Sequence, residues 1–426
     1  TIIGTTSFAA MFLMLGAMLV HGVYRQLRVH PYYQDFVCHH KADAAAQARL
    51  LKVMLDKKQN QNTFLDSDHL IELDTLFDTV KRRVGRLIVF LTRDTLTRPW
   101  CAGEITTAFR AGRSRISILP IHTPSFSVPS EQDLMDLSSY IDFSSCNLAQ
   151  YGISHADILQ ALNHLLHSES LTHVRFQSEL EGMARFEALV DDIRAQSSRV
   201  RAKSLRSSQR IATQTPGMVV VSADPHDDEA IAAAGVLMSK IEAHVCHLVP
   251  EGIDFLANYG TDNLERQSCK VATARSLLCV LTSGTLQCLP QLLAIIEAVS
   301  AQGAGKGSPA LVPVSTPGFR FPEESYYDLS LPRVLKPTQM HGAMQIKHFF
   351  RLIAVSLATH GADSVITAQA NDVLSRIPKT FSRGSVKKAN SIDLTVASAA
   401  ASKLPSEASK LSSEAEEVTH GMVCLA

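Results

Sequence analysis

The stretch Ile118-Leu119-Pro120-Ile121-His122-Thr123-Pro124-Ser125-Phe126-Ser127-Val128-Pro129 returns 193 residues later as Leu311-Val312-Pro313-Val314-Ser315-Thr316-Pro317-Gly318-Phe319-Arg320-Phe321-Pro322. Five of the twelve positions are identical: three prolines, a threonine and a phenylalanine. Each proline fixes φ and removes a backbone donor, so three of them in register demand the same local backbone twice. Leu91-Thr92 with Thr95-Leu96 recur in the same way as Leu281-Thr282 with Thr285-Leu286, 190 residues on. Spacing of this kind marks a tandem duplication. Whatever fold the first copy takes, the second must take as well.

The first copy alternates short apolar runs with amphipathic stretches. Phe36 to Cys38, Asn62 to Leu65, Leu87 to Leu91 and Ile116 to Ile121 read as strands; Ala44 to Leu55, Leu73 to Val84, Glu104 to Ala111 and Ile153 to Leu166 read as helices. Leu87-Ile88-Val89-Phe90-Leu91 is continuously apolar, as strands covered on both faces of a parallel sheet are. The alternation predicts an α/β fold with a doubly wound parallel sheet over residues 32–167, and again over 217–358. Residues 168–216 between them are polar, helical from Phe176 to Arg194, then basic and Ser-rich, and read as a linker whose Arg/Lys cluster is a solvated face. Residues 359–426 are Ala-, Ser- and Lys-rich, with too little apolar volume to fold alone.

At 426 residues, two or three folded units are expected. Lys plus Arg balance Asp plus Glu at 41 each, so charge gives no argument for nucleic acid as a partner. The eight cysteines stand at 38, 101, 146, 246, 269, 279, 288 and 424, with no closely spaced pair of the zinc-knuckle or redox kind. Reduced thiols and no metal site are the expectation.

Residues 1–24 carry no charged side chain, Phe8 to Val20 run almost without a break through Ala, Met, Leu, Phe and Gly, and Tyr24 is followed by Arg25 and Arg28. About 20 such residues span the hydrocarbon core as a helix, and positive charge just beyond places the downstream chain in the cytoplasm. A membrane helix at residues 2–23 is expected; a signal peptide and a buried soluble helix are the competing readings. The chain opens on Thr1 rather than Met, and is expected to be the end of a longer protein.

The segment Leu91 to Ile105 leaves the third strand and enters a helix, so its side chains belong at the carboxyl edge of the sheet, where open α/β folds bind ligands. Trp100 is the only tryptophan of the chain, and Glu104 lies one helical turn later on the same face. An indole beside a carboxylate suits a ring and a positive centre.

Strand, Thr-rich turn and Trp100-Cys101-Ala102-Gly103-Glu104-Ile105 together resemble the tryptophan box of TIR domains. Asp35-Phe36-Val37-Cys38-His39-His40-Lys41 is similar to the family's first-strand box, and Thr63-Phe64-Leu65-Asp66-Ser67-Asp68-His69-Leu70 to its second strand and the loop that mediates TIR–TIR contacts. The resemblance covers residues 32–167. It implies a flavodoxin-like fold and one of two activities: homotypic scaffolding, or cleavage of NAD⁺ to nicotinamide and ADP-ribose. In the second case Glu104 is the implied catalytic carboxylate, stabilising an oxocarbenium ion. Trp100, Lys41, His39 and Asp68 would line the NAD⁺ site, with Lys41 meeting a phosphate. His39-His40-Lys41 departs from the family's usual Ser, aromatic and Arg. In the second copy, aligning Cys288 with Cys101 puts Gln291 where Glu104 stands, so that copy is expected to be a degenerate TIR-like domain. The readings left open are an NAD⁺-consuming signalling enzyme, a silent TIR scaffold in signal transduction that pairs with other TIR domains, and a structural module of a membrane protein.

Overall fold

The computed structural model describes Met14, Gly16, Met18 and residues 32–59, 62–69, 75–197, 218–248, 252–258, 263–303 and 309–378. The expected membrane helix at 1–24 lies outside these apart from Met14, Gly16 and Met18, which are helical. Among the described residues no helix is long and apolar enough to cross a membrane. The basic Ser-rich cluster at 199–210 and the low-complexity region from 379 also lie outside them.

The first repeat is a parallel sheet of β1 (Tyr33–Cys38), β2 (Thr63–Phe64), β3 (Val84–Leu91), β4 (Ser117–His122) and β5 (Val174–Arg175), in the order β2-β1-β3-β4-β5. Its main helices are α1 (Lys41–Gln59), α2 (Leu76–Arg83), α3 (Pro99–Ala111), α4 (His155–His167) and α5 (Ala184–Ser197). The second repeat has β6 (Val219–Ser222), β7 (Ile253–Phe255), β8 (Ser276–Leu281), β9 (Ala310–Ser315) and β10 (Val355–Ser356), in the order β10-β9-β8-β6-β7. Its helices are α6 (Asp228–Leu248), α7 (Leu264–Ala272), α8 (Leu289–Gly303), α9 (Ala343–Phe349) and α10 (Asp363–Ser375). Taken from the opposite edge, the second order is the first. The doubly wound α/β fold is present twice.

The duplicated residues do the same work in both copies. Pro120 pairs with Val89 of the neighbouring strand, and Pro313 with Cys279. Phe126 N donates to Thr123 O at 3.1 Å, and Phe319 N to Thr316 O at 3.0 Å. At the end of the central strand, Thr92 N donates to Thr95 Oγ1 at 2.9 Å, and Thr282 N to Thr285 Oγ1 at 2.8 Å.

Both repeats extend past the boundaries expected from the sequence. β5 and α5 fall within 168–216, expected as a largely helical linker, and α10 falls within 359–426, expected as a disordered or weakly helical tail. The two-residue strands β5 and β10 are too short to show a period. In α5 the core face is Phe186, Leu189, Val190 and Ile193, at helical spacing but diluted by polar neighbours.

Strand alternation gives each sheet an inner and an outer face. Val37, Ile88 and Phe90 of the first sheet and Val219, Val221 and Val280 of the second belong to one continuous core, together with residues of α1, α5, α6 and α10. Those four helices form a layer shared between the two sheets. Phe36, Cys38, Leu87 and Val89 face outward, into a separate core against α2, α3 and α4.

α1 and α6, the equivalent first helices of the two repeats, pack on each other. α1 is broken near its start, where Ala44 has φ −144° and ψ 31°. The freed amides of Ala46 and Gln47 donate to Glu229 of α6, at 2.6 and 3.2 Å. Burial pushes the Glu229 carboxyl up to about 7, with those two amides pulling it back. Arg49 of α1, fully buried, donates to Asp68, to Ser67 Oγ at 2.8 Å, and across to the Gly361 carbonyl of the second repeat at 2.5 Å. Asp68 in turn accepts from the Asp363 amide at the start of α10, at 3.0 Å.

Replacing Arg49 by Ala should strand the Asp68 carboxylate, and loss of one partner of a buried pair costs about 3–5 kcal/mol. Urea unfolding should report a loss of that order, whereas Lys57→Ala, which removes the exposed Lys57–Glu242 pair between the repeats, should change stability little.

Candidate functional site

The tryptophan segment lies at the carboxyl edge of the first sheet, on its outer face. Arg98 is the extended N-cap of α3 and Pro99 its first residue, a position where the missing amide is harmless. Trp100 stacks on Phe77 of α2, with ring centroids 5.6 Å apart and planes at 23°. Gly103 is the only residue that fits beneath that stack, because a Cβ there would come within 2.5 Å of the Phe77 ring. One turn after Trp100, Glu104 points back at the sheet.

His39, Asp66, Arg98, Trp100 and Glu104 line one cavity with Phe36, Val37 and Leu76. Three of the five residues expected at the site are therefore together. Among the described residues the site is a small enclosed cavity. The cavity offers about 10 Å³ to the centres of water molecules, room for about one. Glu104 is 5% exposed and its Oε2 has no hydrogen-bond partner. Burial pushes its carboxyl up to about 8, and Asp66 adds to this, while the Cys38 thiol and the cations Arg98 and Lys41 pull it back. Burial therefore favours the protonated acid, which does not stabilise a cation as a carboxylate would.

The other expected residues have structural employment. His39 is buried, its Nδ1 3.2 Å from the Val37 carbonyl, and burial lowers its pKa to about 4. Lys41 is taken up by Asp66 at 2.8 Å rather than left for a phosphate. Burial opposes ionisation of Asp66, but His39, Lys41 and the Ser67 amide hold its carboxyl below its ordinary value. Asp68 does not line the cavity at all. It closes the Arg49 clamp between the repeats instead.

Arg98 is an addition to the expected set, and Asp66 opens the loop that follows the second strand. Arg98 stands beside Pro99-Trp100 in the sequence, and Asp66 directly follows the second strand, so proximity to the strand ends is the available signal. In the second repeat Gln291 occupies the position of Glu104. It is buried, and its amide donates to the Val280 carbonyl at 2.8 Å.

No family model matches the sequence, and no curated protein matches it. Among solved structures, tagatose-6-phosphate ketose/aldose isomerase from Escherichia coli aligns with 86% of this chain and 89% of its own at 10% identity. The TM-score is 0.19, and the likeness carries no argument.

A carboxyl whose pKa rises from 4.5 in the unfolded chain to about 8 in the fold contributes fully below 4.5 and loses that contribution as pH rises through 8. Glu104→Gln removes the titration while keeping the shape. In metal-free buffer, the variant should gain thermal stability over the wild type between pH 5 and pH 9, and a parallel pair of melting curves across that range would refute the assignment.

Proposed function

We propose that this chain is a TIR-type scaffold in signal transduction, acting through pairing of TIR-like units, with Glu104 withheld from NAD⁺ chemistry. The observation that carries the reading is the enclosure of Glu104. Ligand sites for molecules of drug size run to about 300–1,000 Å³, whereas this cavity holds about one water. The sister position supports it, since Gln291 fills the same place with an amide that never ionises. The strand order of both repeats is that of flavodoxin-like folds, which the TIR resemblance implies. The shared layer of α1, α5, α6 and α10 is already a pairing of two such units within one chain. Residues 2–23 hold the scaffold at a membrane in this proposal, with both repeats on the cytoplasmic side.

The convergence of His39, Asp66, Arg98, Trp100 and Glu104 on one cavity favours a second reading, NAD⁺ hydrolysis to nicotinamide and ADP-ribose. Incubating the chain with NAD⁺, dilute and clustered on a surface, separates the two. The scaffold reading expects unchanged NAD⁺ on chromatography in both conditions. Release of nicotinamide that rises with clustering and vanishes in Glu104→Gln would replace it with the enzyme.

A further inference from the structure

Cys38 ends β1, while Cys101 and Glu104 are three residues apart on α3 and so share the helix face that meets the sheet. Their two sulfurs and a carboxylate oxygen all lie within 4.8 Å of one another. All three residues are buried, and the Cys101 thiol has only the His39 carbonyl oxygen, at 3.4 Å, as a backbone acceptor. Glu104 Oε2 is a second and independent sign: a buried carboxylate oxygen with no hydrogen-bond partner, on a residue that also lines the water-sized cavity. Such an orphan acceptor is costly unless something occupies it.

We propose that Cys38, Cys101 and Glu104 form a binding site for one divalent cation, zinc by its chemistry, with a water in the adjoining cavity as the fourth ligand. Two thiolates and a carboxylate are a donor set that selects zinc over the harder cations, and three protein ligands with a water make up its usual four. Three negative ligands against a dication leave a net charge of about −1. Arg98 and Lys41 lie close enough to act on the Glu104 charge, and they offset it. Binding displaces the protons of the two thiols and the acid, so affinity rises with pH. In the second repeat the cysteine alignment sets Cys288 and Gln291 against Cys101 and Glu104, and the uncharged Gln291 amide, 3.5 Å from Cys279 Sγ, stands in place of the carboxylate ligand. The site would pin α3 to β1 and is independent of the scaffold reading, because neither pairing nor NAD⁺ cleavage enters the argument.

The test uses the full chain, reduced, stripped with a chelator, and titrated with Co²⁺ and then Zn²⁺. One equivalent of Co²⁺ should give a sulfur-to-metal charge-transfer band and the intense visible bands of a tetrahedral site, both lost on adding Zn²⁺. Cys38→Ser and Cys101→Ser should each remove the charge-transfer signature or halve it, and Cys288→Ser should leave it unchanged. Glu104→Gln, a substitution whose shape the second repeat already accommodates, should weaken Zn²⁺ binding by at least the ~100-fold that loss of an outer-shell partner can cost. Circular dichroism checks that each variant is folded. Folded wild-type protein that yields no charge-transfer band overturns the site, and so does a band left undiminished by either cysteine substitution.

Discussion

Neither sheet can cover its own inner face, and that is the constraint on which everything else here rests. A parallel sheet is stable only with apolar layers on both sides. The inner faces, with Val37 and Phe90 on one side and Val221 and Val280 on the other, are both covered by the single layer of α1, α5, α6 and α10. Removing either repeat would leave two helices with one bare flank. The polar contacts across the layer are consistent with this. Arg49 reaches the Gly361 carbonyl, and Glu229 satisfies amides released by the break at Ala44. The break and the carboxylate that mends it belong to different repeats, so the local irregularity of α1 is solved only by the partner.

The outer face of the first sheet obeys a different logic. Where α3 meets β1, this fold keeps a buried polar side chain that is neutral near physiological pH. In the second repeat it is an amide that finds the Val280 carbonyl. In the first it is an acid that burial pushes toward its protonated form, and in both copies one side-chain oxygen, Glu104 Oε2 or Gln291 Oε1, has no hydrogen-bond partner. Of the two, the acid is the more demanding solution, since its neutrality depends on burial. Phe77 and Trp100 stack above Gly103, and Trp100 lines the same cavity as Glu104.

The fold is legible in the sequence wherever elements are long. Leu87 to Leu91 announce a two-sided strand, and the three repeated prolines announce the second copy before any helix is placed. The fifth strands are illegible because two residues cannot display a period, and α5 reads as part of a linker because its four core residues sit among charged ones. At the site, spacing alone puts Trp100 and Glu104 on one helix, with His39 nearby. Exposure is another matter: spacing places a side chain on a face but says nothing of what covers that face. Asp68 escapes for a related reason. Its partner Arg49 is 19 residues away and its other contact, Asp363, nearly 300, and no local pattern connects them.

The break in α1 and its carboxylate have a consequence for how such a pair behaves in a cell. Two separate molecules meet at a rate set by their abundance, whereas two copies on one chain meet at an effective concentration set by the connecting segment, in the millimolar range for short flexible connections. The α1–α6 contact is therefore formed at any expression level, and a change in copy number cannot switch it on or off. Any response that does depend on the number of molecules must be read by other surfaces, which leaves the outward faces of the two sheets' helices free to diverge.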